Sequence, residues 1–204
     1  METIITVNKG LGARASAVAD LLDDLDNFAI YRNQSGFGAV ISGLKADWYN
    51  GAGADGANWV VAVLRKEGTS IFPSNATSFE VSTTIGTNTR RYDAIVDNAV
   101  VVNGISKNRY FEFKSYSTVP PSNFSEQFIN DLNNNAITDL SQLKWYFDGA
   151  KNPANFEANM KAAIDGLSLS NDLAKKFITN KIDPTGSDLK LLLKQKFSQI
   201  FTLK

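Results

Sequence analysis

The chain of 204 residues contains no cysteine and no histidine. Without cysteine there is no disulfide, no thiolate nucleophile and no Cys-type zinc site. Without histidine, Ser-His-Asp and Cys-His catalysis and imidazole acid–base chemistry fall away as well. Any catalysis has to run on carboxylates, lysine, tyrosine or serine, with a hard, oxygen-preferring metal where a metal is used. No apolar run approaches the roughly 20 residues that cross a bilayer, so no membrane span is expected. Net charge is missing too: 21 basic residues balance 21 acidic ones, which argues against a protein that coats nucleic acid indiscriminately. Met1-Glu2-Thr3-Ile4-Ile5 is not a basic segment leading an apolar one, so no targeting signal of its own is expected. A domain cut from a longer secreted protein would read the same way.

What is present is enough apolar matter, 43% of residues, for one sizeable core. A single domain over 1–204 is expected, monomeric by itself. Charge is unevenly spread: residues 1–60 carry four basic and seven acidic side chains, whereas 151–204 carry nine lysines and five acids. The basic C-terminal third could touch phosphate, although helix lysines more often serve solubility.

Val18, Leu21, Leu22 and Leu25 recur at helical spacing with aspartates opposite, predicting an amphipathic helix over 15–27. The small-residue stretch Gln34 to Gly56 predicts short helical or looped pieces. A second helix follows over Asp55 to Glu67, with Trp59, Val60, Val63 and Leu64 on its apolar stripe. After Gly68 the period shifts toward two. Thr77 to Thr83, Arg91 to Asp97 and Arg109 to Tyr116 are strand candidates, joined near Gly86-Thr87-Asn88 and Asn103-Gly104 and ended by Pro120-Pro121. Helical spacing then returns over 124–132, 140–147, 156–167, 171–179 and 187–196, with a closing strand at 200–203. The order is that of an α+β protein.

Two strand segments carry the chemistry. In Glu112-Phe113-Lys114, strand alternation projects the acid and the ammonium to one side and the aromatic to the other. Asp93 lies nineteen residues earlier, on the neighbouring strand, sharing a face with Ile95 and Asp97. Asp97-Asn98 reads as part of the turn, which leaves Asp93 as the acid within the sheet. Two carboxylates and a lysine gathered there could hold a divalent metal and set a water against phosphate. Downstream, Gln142-Leu-Lys-Trp-Tyr146 places Gln142 and Tyr146 four residues apart on one face of the expected helix.

Taken together, these motifs resemble the PD-(D/E)xK nuclease superfamily: Asp93 as the strand acid, Glu112-Phe113-Lys114 as the E-x-K, and Gln142 to Tyr146 as the Q-x-x-x-Y of one branch. Arg91-Tyr92-Asp93-Ala-Ile-Val, Tyr110-Phe-Glu-Phe-Lys-Ser115, Leu140-Ser-Gln-Leu-Lys-Trp-Tyr-Phe and the Ile-Phe-Thr-Leu-Lys204 ending look like C-terminal toxin domains of bacterial polymorphic toxins, including Rhs-type proteins. The resemblance covers roughly residues 54–204.

The resemblance implies a restriction-endonuclease-like core of three or four mixed strands flanked by helices over 54–150, an N-terminal helical segment over 1–53, and a C-terminal one over 151–204. It implies a metal-dependent endonuclease, secreted within a larger toxin, cutting DNA, or RNA, in a competitor's cytoplasm and neutralised by a cognate immunity protein. Asp93 and Glu112 would bind Mg2+ or Mn2+, Lys114 would activate water or stabilise charge, and Gln142 and Tyr146 would position phosphate or the lysine. Arg90, Arg91 and Lys144 are candidate phosphate contacts. Tyr92 stands where the pattern has proline, and Asn58 where it has an acid in the first helix, a place Asp55 could fill. That departure keeps a second function in view, a degenerate nuclease fold that binds nucleic acid or protein without cutting.

Overall fold

The computed structural model describes residues 15–50, 56–85, 88–151 and 154–204. The chain divides into two compact units, residues 1–80 and 81–204.

In the first unit, α1 (Ala15–Phe28) runs into a 3-10 turn (Ala29–Tyr31), followed by α2 (Phe37–Asn50) and α3 (Gly56–Glu67). Both α1 and α2 pack on α3. The small residues of 34–56 predict broken pieces, yet 37–50 is one continuous helix. Val40 and Leu44, four apart and buried, supply enough of an apolar stripe to override the glycines. Phe28, Tyr31, Phe72 and Phe79 form a small aromatic core in which the Tyr31 hydroxyl donates to the Phe72 carbonyl at 2.7 Å. Gly36 sits at φ +79, and a Cβ there would meet the Phe79 carbonyl oxygen at 1.9 Å, so only glycine fits.

The second unit is built on a five-stranded sheet in the order β1-β2-β3-β4-β5, with β1 Thr77–Ile85 entering from the first unit, β2 Asn88–Val102, β3 Ile105–Lys114, β4 Leu143–Phe147 and β5 Phe201–Leu203. The sheet is mixed. The β2–β3 hairpin is antiparallel and turns at Asn103-Gly104, both with positive φ, the turn type that suits a two-residue hairpin. β4 and β5 then add in parallel, Glu112 opposite Trp145 and Trp145 opposite Phe201. Parallel neighbours need crossovers. The first contains α4 (Phe124–Asn133), and the second contains α5 (Phe156–Asp165), α6 (Asn171–Phe177), α7 (Gly186–Gln195) and α8 (Phe197–Ile200). Asp97-Asn98, expected as a turn, instead lies inside β2, where the register shifts between Val96 and Val100 and Asn98 takes φ +55.

A second correction bears on the site. The spacing of Leu140, Leu143 and Phe147 predicts a helix over 140–147; the structure has a 3-10 turn at Leu140–Gln142 and then strand β4. β4 lies between two parallel neighbours and buries both faces, so its apolar residues run almost without interruption and lose the period of two that marks a half-buried strand. Phe124, Phe128, Trp145, Phe147 and Phe201 pack ring against ring beneath α4.

Candidate functional site

Glu112 is the centre of a buried charge network. Alternation along β3 places Glu112 and Lys114 on the face that carries Trp145, the residue opposite Glu112 on β4. The Lys114 Nζ lies 2.7 Å from Glu112 Oε2 and 5.1 Å above the centre of the Trp145 ring. From β2, an Arg90 terminal nitrogen reaches Glu112 Oε1 at 2.6 Å in a buried ion pair. Arg90 Nε donates to Asp131 Oδ1 at 2.7 Å, and the indole N–H of Trp145 donates to the other Asp131 oxygen at 3.0 Å. A third guanidinium nitrogen donates to the Arg91 carbonyl at 2.6 Å, and the group lies over the Tyr92 ring.

Asp93 stands next to this network. Regular β2–β3 pairing extends to Ala94 opposite Phe111. Beyond it, the Phe113 amide donates to Asp93 Oδ2 at 2.7 Å, a side chain taking a bond of the kind the backbone makes elsewhere in the ladder. Tyr92 lies ring to ring with Tyr110, and its hydroxyl accepts from the Asn134 side chain at 3.0 Å.

The electrostatics follow from burial. Glu112 is 2% exposed and Asp131 0%. Burial works against the Lys114 charge, but Glu112 and then Asp93 more than offset it, and the ammonium is held above its ordinary range. Arg90 is likewise kept charged against burial by Asp131 and Glu112. Asp131 is pushed up to about 7 by burial and by the nearby Glu112 charge, with Arg90 opposing. A carboxyl whose folded pKa is raised contributes stability that is complete below its unfolded value and lost as pH rises through the folded one. Between about pH 4 and pH 7, the unfolding free energy of the wild type is therefore expected to fall relative to that of Asp131→Asn. Denaturant titrations of both proteins across that range measure it, and parallel pH profiles would rule out this role.

The structure thus brings together Asp93, Glu112, Lys114 and Arg90. It does not bring Gln142 or Tyr146 to them by the expected route, because these two share no helix. Gln142 is buried in the turn before β4, where its Oε1 accepts from Thr138 N, Thr138 Oγ1 and Asp139 N and its Nε2 donates to the carbonyls of Asn108 and Ala136. Tyr146 lies on the face of β4 opposite to Trp145, against Phe111 and Phe113, with Lys144 and Lys204 over its ring. The Lys144 ammonium donates to the carbonyls of Ser198 and Gln199, in α8. Arg90, expected as an exposed phosphate contact, is buried at 7%, whereas Arg91 is exposed. Asn58 lies in α3, and Asp55 falls outside the described residues.

No family model, curated protein or solved structure matches the chain. The site stands on its own geometry.

Asp131 is the residue missed from the sequence. Its signal is an acid in the apolar register of α4, with Phe124, Phe128 and Asp131 spaced four and three apart. Among the described residues, no group of three or more acids is arranged to hold a metal ion. Both Glu112 oxygens face protein cations and Asp93 gives one oxygen to an amide, so the residues as arranged do not fit Mg2+ or Mn2+.

Proposed function

We propose that residues 81–204 form an endonuclease domain that hydrolyses phosphodiester bonds, DNA in preference to RNA. The observation that carries this reading is the Lys114 ammonium, paired with Glu112 at 2.7 Å while the Asp93 charge on the neighbouring strand acts on it as well. Phosphoryl transfer is catalysed chiefly by placing positive charge where the equatorial oxygens gather negative charge. Lys114 supplies that charge, with Arg90 behind it. Asp93 is the least enclosed of the three acids and is positioned to take a proton from the attacking water. The water oxygen bonds to phosphorus as the ester oxygen leaves, and the leaving oxygen is protonated from solvent. Glu112 orients Lys114.

A mixed sheet with Asp93 on β2, the E-x-K on β3 and β4 alongside in parallel supports a restriction-endonuclease-like core. The toxin setting, with delivery in a larger secreted protein and neutralisation by a cognate immunity protein, rests on the resemblance of the motifs. The burial of Glu112, with cations at both its oxygens, favours a second reading, a nuclease-like fold that binds nucleic acid or protein without cutting.

Incubation with plasmid DNA and with total RNA, in Mg2+, Mn2+ or EDTA, separates the two. Cleavage by the wild type is expected, reduced about 100-fold or more in Lys114→Ala. If neither folded protein cuts either nucleic acid, the binding reading replaces the nuclease.

A further inference from the structure

We propose that the Arg90 guanidinium is the resident cation of this acid cluster, fixed where a divalent metal would otherwise sit, and that the site binds no such metal. The inference concerns the residues of the nuclease reading but does not need that reading to be right.

Arg90 is anchored on every side. It bridges Glu112 of β3 and Asp131 of α4, donates to its neighbour's carbonyl, lies on the Tyr92 ring, and has the far oxygen of Asp131 pinned by Trp145. A planar fork of donors is suited to spanning two carboxylates, which a single ammonium would do less well. An arginine so placed cannot become neutral to make room, because the guanidinium keeps its proton in proteins. Nor can it leave without stranding a buried charge.

The charge count agrees. With all three carboxyls ionised, Asp93, Glu112 and Asp131 contribute three negative charges, and Arg90 and Lys114 two positive ones. The five together are then one charge short of neutral, and a divalent ion would overshoot while facing two fixed cations. Protonation of Asp131, whose pKa burial pushes up, makes the set neutral and leaves still less need for a further cation. Two more of the carboxylate oxygens are engaged by donors, since Asp131 Oδ2 accepts the indole N–H and Asp93 Oδ2 accepts the Phe113 amide. Arg90 is on this account a positioning residue. It holds Glu112 so that the second carboxylate oxygen receives Lys114.

Mn2+ titration of the full chain, followed by electron paramagnetic resonance of the free ion, tests this without any substrate. In the wild type the free signal is expected to stay undiminished at millimolar Mn2+. In Arg90→Gln, where Glu112 and Asp131 lose their cation, the signal is expected to fall as the ion binds. Wild-type binding that disappears in Asp93→Asn or Glu112→Gln overturns the proposal. So does a folded Arg90→Gln, checked by circular dichroism, that binds no more Mn2+ than the wild type. Should Arg90→Gln not fold, the wild-type titration decides alone. Absence of nucleic-acid cleavage leaves all these readouts intact, so failure of the nuclease reading and of this one are told apart.

Discussion

Replacing Asp131 by alanine is expected to lower the unfolding free energy of the 81–204 unit by about 3–5 kcal/mol, the usual cost of stripping one partner from a buried ion pair. Asp131 is fully buried, and its loss leaves Arg90 matched on one side only and the Trp145 N–H without its acceptor. The attraction itself is not what makes the effect large; the stranded charge is. Arg90→Met combined with Asp131→Leu should therefore be far less damaging than the sum of the single changes, because no uncompensated charge remains and Glu112 retains Lys114. Denaturant unfolding of Asp131→Ala, of Arg90→Met and Asp131→Leu singly, and of their combination, followed by circular dichroism, measures both effects. A loss below about 1 kcal/mol in Asp131→Ala would mean that water screens the network as it does surface pairs.

Gln142→Ala comes next in size, at about 3 kcal/mol or more, since each buried polar group left unsatisfied costs about 1–3 kcal/mol. Its side chain closes the segment before β4 through bonds at Thr138, Asp139, Asn108 and Ala136, and it forms half of a capping box with Asp139. The expectation separates two roles for one residue. A Gln142 that served substrate would lose cleavage with its stability intact, whereas a Gln142 that serves the fold lowers the melting temperature first. Thermal unfolding beside a cleavage assay on the same preparation distinguishes them.

These two residues also mark how far the sequence could be read. Strands announced themselves where one face is apolar and the other is not, and Asp93 with Glu112-Phe113-Lys114 could be placed on adjacent strands from alternation alone. β4 is not legible in this way, because a strand buried on both faces shows the same apolar run as a buried helix, and the helical face that the spacing predicts for Gln142 and Tyr146 does not exist. Helix α2 was hidden by its glycines, which depress propensity without preventing a helix that packs on α3. Arg90 and Asp131 show a different limit. Charge in a sequence reads as surface, and only the approach of α4 to the β2–β3 hairpin explains why an arginine and an aspartate 41 residues apart are both buried.

The parallel addition of β5 has a consequence for how the unit forms. Trp145 and Phe201, neighbours across β4 and β5, are separated in the chain by α5, α6, α7 and α8, so the sheet closes only after a long loop has been gathered in. Pairing of that kind slows folding. Until residues 201–203 dock, β4 offers an unpaired edge bearing Trp145 and Phe147 to any other extended segment, and this interval is when the chain is most open to mispairing with its own copies.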